Sequence, residues 1–332
     1  MGQSFHILTP RPEPALLSIV VPAYNEEEVL PMFRRRMTEF MNALTCPAEL
    51  IIVNDGSADG TLKLLADWAT DEARVKVLSL ARNFGHQAAV TAGLDAATGD
   101  AIVIMDADLQ DPPEVVREMI VQYRAGYDVV YGQRAGREGE SAMKKLTAWG
   151  FYRFMRTFIH KDLPADAGDF RLVSRTCLDA LKTMRETHRF LRGMVAWVGF
   201  AQTAVRFKRP ARAAGETKYP LKKMLRFAWQ AAVSFSPAPL RLSLALGVVV
   251  AIVGLCIGLW ALVAGLVRWH VEPGWASLMV VLCLLGGAIL ISNGILGSYV
   301  GRIFEESKGR PLYVVSYTAN LDKPAAPRSA DV

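Results

Sequence analysis

Two long stretches without charge set the first limit on what this chain can fold into. Residues 242–267 form a run of 26 and residues 275–301 a run of 27, and neither contains Asp, Glu, Lys or Arg. Crossing the hydrocarbon of a bilayer takes about 20 mostly apolar residues as a helix, and the core helix of a water-soluble domain seldom stays uncharged that long. Each run is expected to be a transmembrane helix. The link between them is short and holds Pro273 and Gly274, which predicts a tight helical hairpin.

Charge orients that hairpin. Residues 201–241 carry nine Lys/Arg against one acid, Glu216, and Arg302, Lys308 and Arg310 follow the second run. The link offers only Arg268, balanced by Glu272. The positive-inside rule then places the globular part and both termini in the cytoplasm. Residues 1–17 lack an apolar core behind a basic start, so no signal peptide is expected. The net charge of +6 gathers beside the apolar runs, which suits anionic lipid and not nucleic acid. Cys46, Cys177, Cys256 and Cys283 are scattered, with no disulfide or metal spacing.

Ahead of the runs, apolar stretches alternate with helical patterns. Strands are expected at residues 17–21, 50–53, 75–80, 101–105 and 128–131, with helices at 26–44, 59–70, 87–97 and 112–124 between them. Strands apolar on both faces and separated by helices imply an α/β fold with a mostly parallel sheet, whose ligands bind beyond the carboxyl ends of the strands. Asn25, Asp55, Arg82 and Asp106 each fall just after a strand. Asp106 and Asp108 are two residues apart, so an extended chain points both carboxylates the same way, an arrangement suited to Mg²⁺ or Mn²⁺. Gly56-Ser57-Ala58-Asp59-Gly60 lacks the Gly-x-Gly-x-x-Gly spacing of a dinucleotide-binding dehydrogenase. The later half is less regular. Residues 144–159 and 218–235 mix aromatic and basic side chains as interfacial helices do, Pro237 and Pro239 break the helix before the first apolar run, and residues 312–316 read as an edge strand.

The strand ends, read in order, are Pro22-Ala23-Tyr24-Asn25-Glu26-Glu27, Asn54-Asp55-Gly56-Ser57 and Asp106-Ala107-Asp108-Leu109-Gln110-Asp111-Pro112-Pro113. Farther on come Asp166-Ala167-Gly168-Asp169-Phe170-Arg171, Phe190-Leu191-Arg192-Gly193 with Trp197-Val198-Gly199, and Gly215-Glu216-Thr217-Lys218-Tyr219. Together with the two apolar runs, this set resembles the inverting, metal-dependent family 2 glycosyltransferases of GT-A fold. Within them it resembles the bacterial polyprenyl-phosphate enzymes of the bactoprenol glucosyltransferase kind, with dolichol-phosphate mannose synthase more distant.

The resemblance implies a nucleotide-sugar-binding GT-A domain followed by two transmembrane helices. The expected layout is a tail at 1–15, the catalytic domain at 16–212, juxtamembrane helices at 213–241, the spans within 242–301, and a cytoplasmic strand and tail at 302–332. It implies a nucleotide sugar, a UDP-sugar in the leading case, held by Pro22, Tyr24, Glu26, Asp55, Arg82 and Asp106. It also implies Mg²⁺ or Mn²⁺ on Asp106, Asp108 and Gln110, and an acceptor polyprenyl phosphate met by Arg134 and Lys144 or Lys145. Asp169 is the carboxylate expected near the acceptor, as a base or as an orienter of Arg134 or Arg171, with Asp166 its rival. His188 has no partner spacing, and Arg189 and Arg192 read equally well as structural.

The expected reaction is transfer of a hexose, glucose from UDP-glucose first among them, to undecaprenyl phosphate at the bacterial inner membrane. A homo-oligomer, with a tetramer among the options, and a downstream flippase are expected partners. Rival readings are another sugar (GlcNAc, galactose, mannose or a modified arabinose), a processive polysaccharide synthase, or an inactive scaffold. The synthase is disfavoured by the absence of a Gln-x-x-Arg-Trp run, and the scaffold by the intact Asp106, Asp108 and Gln110.

Overall fold

The computed structural model describes residues 6–134, 167–207, 238–266 and 274–321. They fall into two compact units: a globular one, which includes the segment after Arg310, and one that holds the two apolar helices.

The globular unit is built on β1 (Leu17–Ala23), β2 (Ala48–Asn54), β3 (Val75–Leu80), β4 (Ala101–Ile104), β5 (Val129–Arg134), β6 (Ala167–Ser174), β7 (Gln202–Phe207) and β8 (Val315–Ala319). These form one sheet in the order β7-β5-β6-β4-β1-β2-β3-β8. The block β4-β1-β2-β3 is parallel, as expected from its doubly buried runs. Beyond it the pattern departs from the sequence reading. β6 inserts antiparallel between β4 and β5, and β7 then runs parallel to β5. The final strand lies three residues beyond the expected 312–316 and closes the far edge antiparallel to β3.

Among the described residues six helices cover the sheet: α1 (Leu30–Asn42), α2 (Thr61–Asp71), α3 (His86–Ala96), α4 (Val115–Arg124), α5 (Arg175–Thr183) and α6 (Leu191–Val198). Alternation along the strands divides them into two layers. Ile19, Val21, Ile52 and Val103 share a core with Phe33, Met37, Trp68 and Met119 from α1, α2 and α4. Val20, Ile51, Val53 and Ile102 face Ala89, Val90, Leu178 and Met194 from α3, α5 and α6. Gly93 lets α3 lie close on β1, because a Cβ there would come 2.4 Å from a Val20 methyl. That contact fixes the height at which α3 starts, at the carboxyl end of the sheet. At the opposite end, buried Glu49 is satisfied by Lys76, Ser18 and Thr98. Burial alone would raise its carboxyl, but those partners outweigh it and hold it low.

The segment after the apolar helices is sewn into this unit. Asn320 donates to the carbonyls of Ala69 and Val75, Ser316 to that of Ser79, and Tyr313 to the Asp95 carboxylate at 2.8 Å.

The second unit holds α7 (Ala238–Leu266) and α8 (Trp275–Ser307), 29 and 33 residues long. Both are long and apolar enough to cross a membrane, with mean hydropathies of 2.7 and 1.5 in their most apolar stretches. Helix α8 runs past Arg302 to Ser307, because charged side chains do not end a helix where they can reach water.

Candidate active site

At the carboxyl ends of β1, β2 and β4, Pro22, Ala23, Tyr24, Glu26, Asp55, Asn83, Gly85, His86, Ala89, Asp106, Ala107 and Asp108 line a cleft of about 410 Å³. The strands end together because β1 pairs in register with both neighbours, so three polar loops open at one level.

Two of those loops brace each other. Asn25, at φ +54°, takes a hydrogen bond from the Ala58 N–H and gives its own N–H to Ser57. Glu26 donates its N–H to Thr61, and Glu27 accepts from Gly60. Gly56 sits at φ +66°, and a Cβ on it would lie 2.4 Å from the carbonyl carbon of Arg82. The close approach that requires glycine is thus to the chain's own β3–α3 loop. Asp55 is buried and accepts the N–H groups of Phe84 and Gly85 at 2.8 and 3.0 Å. It both lines the cleft and ties that loop to β2. Burial pushes its carboxyl above the usual range, and the two N–H bonds offset part of that rise.

Asp106 and Asp108 follow β4. Burial raises the Asp106 carboxyl, with His86 opposing and Asp169 and Asp108 adding to the rise. The Asp108 carboxylate accepts the Gln110 N–H at 3.0 Å across Leu109, whose φ is +57°. Gln110 itself is buried, and its Oε1 has no hydrogen-bond partner among the described residues. A buried amide oxygen rarely stays unpaired and is a donor type that a hard cation takes; Gln110 follows Asp108 by two positions but is not among the cleft-lining residues. Among the described residues no three His, Cys, Asp or Glu side chains cluster as an all-protein cage. Sites that share Mg²⁺ with substrate phosphates need only one or two carboxylates, so these residues fit such an ion.

The remaining expected residues divide. Arg82 is exposed, with its guanidinium 4.1 Å over the Phe84 ring, and is not among the cleft-lining residues. The backbone of Arg134 lies on β5, opposite Phe207. Lys144, Lys145 and Asp166 lie outside the described residues, as do the aromatic-basic stretches 144–159 and 218–235. Asp169, on β6, is engaged with Arg192 of α6 at 2.8 and 3.2 Å and faces His86 Nε2 at 3.3 Å. Burial would raise its carboxyl, but the His86 bond and Arg192 outweigh burial and hold it far below the usual range. Sequence reasoning missed His86, Gln87 and the role of Arg192. The helix start after Asn83-Phe84-Gly85 was the available signal.

Desolvation lowers His86, yet Asp169 and Asp106 outweigh it and raise its pKa above 6.5. A group raised on folding stabilises the fold fully below its unfolded pKa, and that contribution is lost as pH rises through the folded value. In cation-free protein, His86→Gln should therefore lower the thermal midpoint most below about pH 6.5, with the gap closing as pH rises above it. A difference between wild type and variant that stays constant across that range would contradict the pairing.

A mostly parallel α/β core whose strand ends hold an Asp-x-Asp pair in a cleft is an arrangement suited to a nucleotide-sugar transferase. The chain belongs to Glycosyl transferase family 2, whose signature matches residues 18–181. It is 45% identical over 305 residues to the uncharacterized glycosyltransferase YkcC of Bacillus subtilis, covering 92% of this chain and 94% of that protein. It is 38% identical over 299 residues to the prophage bactoprenol glucosyl transferase homolog of Escherichia coli K12, covering 90% and 98%. Among solved structures, the mannosyltransferase PcManGT from Pyrobaculum calidifontis, in complex with GDP-Man and Mn²⁺, matches at a TM-score of 0.42. That match has 16% identity and covers 86% of this chain and 89% of that one.

Proposed function

We propose that this glycosyltransferase moves glucose from UDP-glucose to undecaprenyl phosphate, with inversion, at the cytoplasmic leaflet of a bacterial inner membrane. One observation carries the reading: a single chain joins an Asp106/Asp108 cleft to two uncovered apolar helices. Its near full-length likeness to a bactoprenol glucosyl transferase homolog supports both the glucose and the lipid. The basic flanks of the helices support a cytoplasmic catalytic unit and a chain that crosses the membrane twice.

In this reading Pro22, Tyr24, Glu26 and Asp55 hold the nucleotide, with Asp106 toward the ribose or the cation. Asp106, Asp108 and Gln110 would hold Mg²⁺ or Mn²⁺, which would supply positive charge against that of the leaving diphosphate. A phosphomonoester has its second ionisation near pH ~6, so the acceptor arrives as a dianion and needs little help from a base. What it needs is cations to offset repulsion from the diphosphate, a task for Arg134 and for Lys144 or Lys145. A phosphate oxygen then attacks the anomeric carbon opposite the leaving UDP. An α-linked donor gives a β-linked lipid phosphate in one displacement. Self-association through several copies and a flippase acting on the product belong to the same proposal.

The test is transfer from radiolabelled UDP- and GDP-sugars to undecaprenyl phosphate with Mg²⁺ or Mn²⁺. The expected result is a chloroform-soluble product from UDP-glucose. A lipid product from another sugar alone would replace the donor, and no lipid product from any would overturn the acceptor.

A further inference from the structure

We propose that Arg192 is a phosphate-binding residue of this transfer and that Asp169 acts through it, as a positioning residue. This rests on the reaction proposed above. A carboxylate serving as base needs an oxygen open to the group it deprotonates. Asp169 is 12% exposed, and donors meet both its oxygens. Oδ1 accepts from Arg192 Nε at 2.8 Å, with Arg171 Nη2 4.0 Å away. Oδ2 accepts from Arg192 Nη2 at 3.2 Å, and His86 Nε2 and Gln87 Nε2 lie at 3.3 and 3.5 Å. A dianionic acceptor also has no proton to give up. The carboxylate is built to hold cations in place.

Arg192 is the more open partner, 37% exposed. It stands in the first turn of α6, whose start is fixed from the cleft side. Phe190 offers no side-chain cap, and Gln87 Oε1 instead accepts the Leu191 N–H at 3.0 Å. Gln87 follows His86, a cleft-lining residue that meets the same carboxylate. Transfer brings a phosphate dianion and a diphosphate to a cleft that already holds Asp106 and Asp108. Arg192 and His86 are the cationic side chains the described residues place on the Asp169 carboxylate, alongside buried Arg171, and His86 is the one of them that lines the cleft. A guanidinium forked on one carboxylate is pre-aimed for a second oxyanion. The phosphate it meets belongs either to the acceptor or to the donor's diphosphate.

The test uses the full-length protein in detergent with lipid, comparing Arg192→Gln, Arg192→Lys, Asp169→Asn and the Gln/Asn double variant. Wild-type transfer is read first, and its absence would sink the proposed reaction while UDP titration still reads Arg192. Arg192→Gln should lose about 10²-fold in kcat/KM, with partial recovery in Arg192→Lys at an unchanged thermal midpoint. Asp169→Asn should cost much in the wild-type background and little once Arg192 is Gln. A raised KM for undecaprenyl phosphate alone assigns the acceptor, and weaker UDP binding assigns the diphosphate. Arg192→Gln activity within twofold of wild type would overturn the phosphate contact. An equal cost of Asp169→Asn in both backgrounds would overturn positioning and restore a base.

Discussion

Asp108→Asn is expected to reduce glucosyl transfer by about 10³-fold or more while leaving the protein folded. Asn keeps the volume and an acceptor oxygen for the Gln110 N–H that now bonds Asp108 at 3.0 Å, so the turn through Leu109 survives. What disappears is one of the two charges offered to a cation. Chelation should produce the same loss in wild type, and restored Mg²⁺ or Mn²⁺ should reverse it there but not in the variant. The measurement is label in the lipid phase against the thermal midpoint of each protein. More than a tenth of wild-type activity in Asp108→Asn would remove the carboxylate pair from the mechanism.

Gly56→Val should cost about 3 kcal/mol or more of stability, combining a branched residue at positive φ with overpacking. The new Cβ would meet the backbone of Arg82 and Asn83 at 2.4 and 2.6 Å, and backbone cannot rotate aside as a side chain can. The strain falls on the loop that Asp55 clamps, so surviving protein should also bind UDP more weakly. Denaturant unfolding and UDP titration read the two effects. A variant as stable as wild type would mean that the β2–α2 and β3–α3 loops do not meet as described.

Legibility in the sequence followed burial. β1 and β2 are sealed along their whole length, and their unbroken apolar runs announce a parallel core. β6 gave no such signal. It carries Asp169 and Arg171 on a strand that begins Ala167-Gly168, and its charges are tolerated only because Arg192, His86 and backbone carbonyls answer them. Those partners come from other elements, so no local pattern shows them, and the antiparallel insertion beside β4 went unseen. The edge strand β7, Gln202–Phe207, was also overlooked. The cleft residues Tyr24, Asp55 and Asp106 were readable because topology alone sends strand ends to one place. Arg192 and Gln87 stand at helix starts, 23 and 82 positions from the Asp169 they serve. Spacing along the chain carries no trace of that meeting.

The pairing of β8 with β3 has a consequence for the order in which the molecule can be made. Val315 lies opposite Leu80, so the strand that closes this edge is synthesised 235 positions after its partner. At roughly 5–20 residues per second, a ribosome takes on the order of 10–50 s to cover that distance. Both apolar helices are translated in the interval, and until it ends β3 presents an unpaired edge, the kind of surface that recruits stray strands. The sheet therefore cannot be completed before both apolar helices have been synthesised. A nascent chain stalled between α7 and α8 would be an unfinished enzyme with an adhesive edge, which makes prompt delivery of the helices a condition for folding the domain that precedes them.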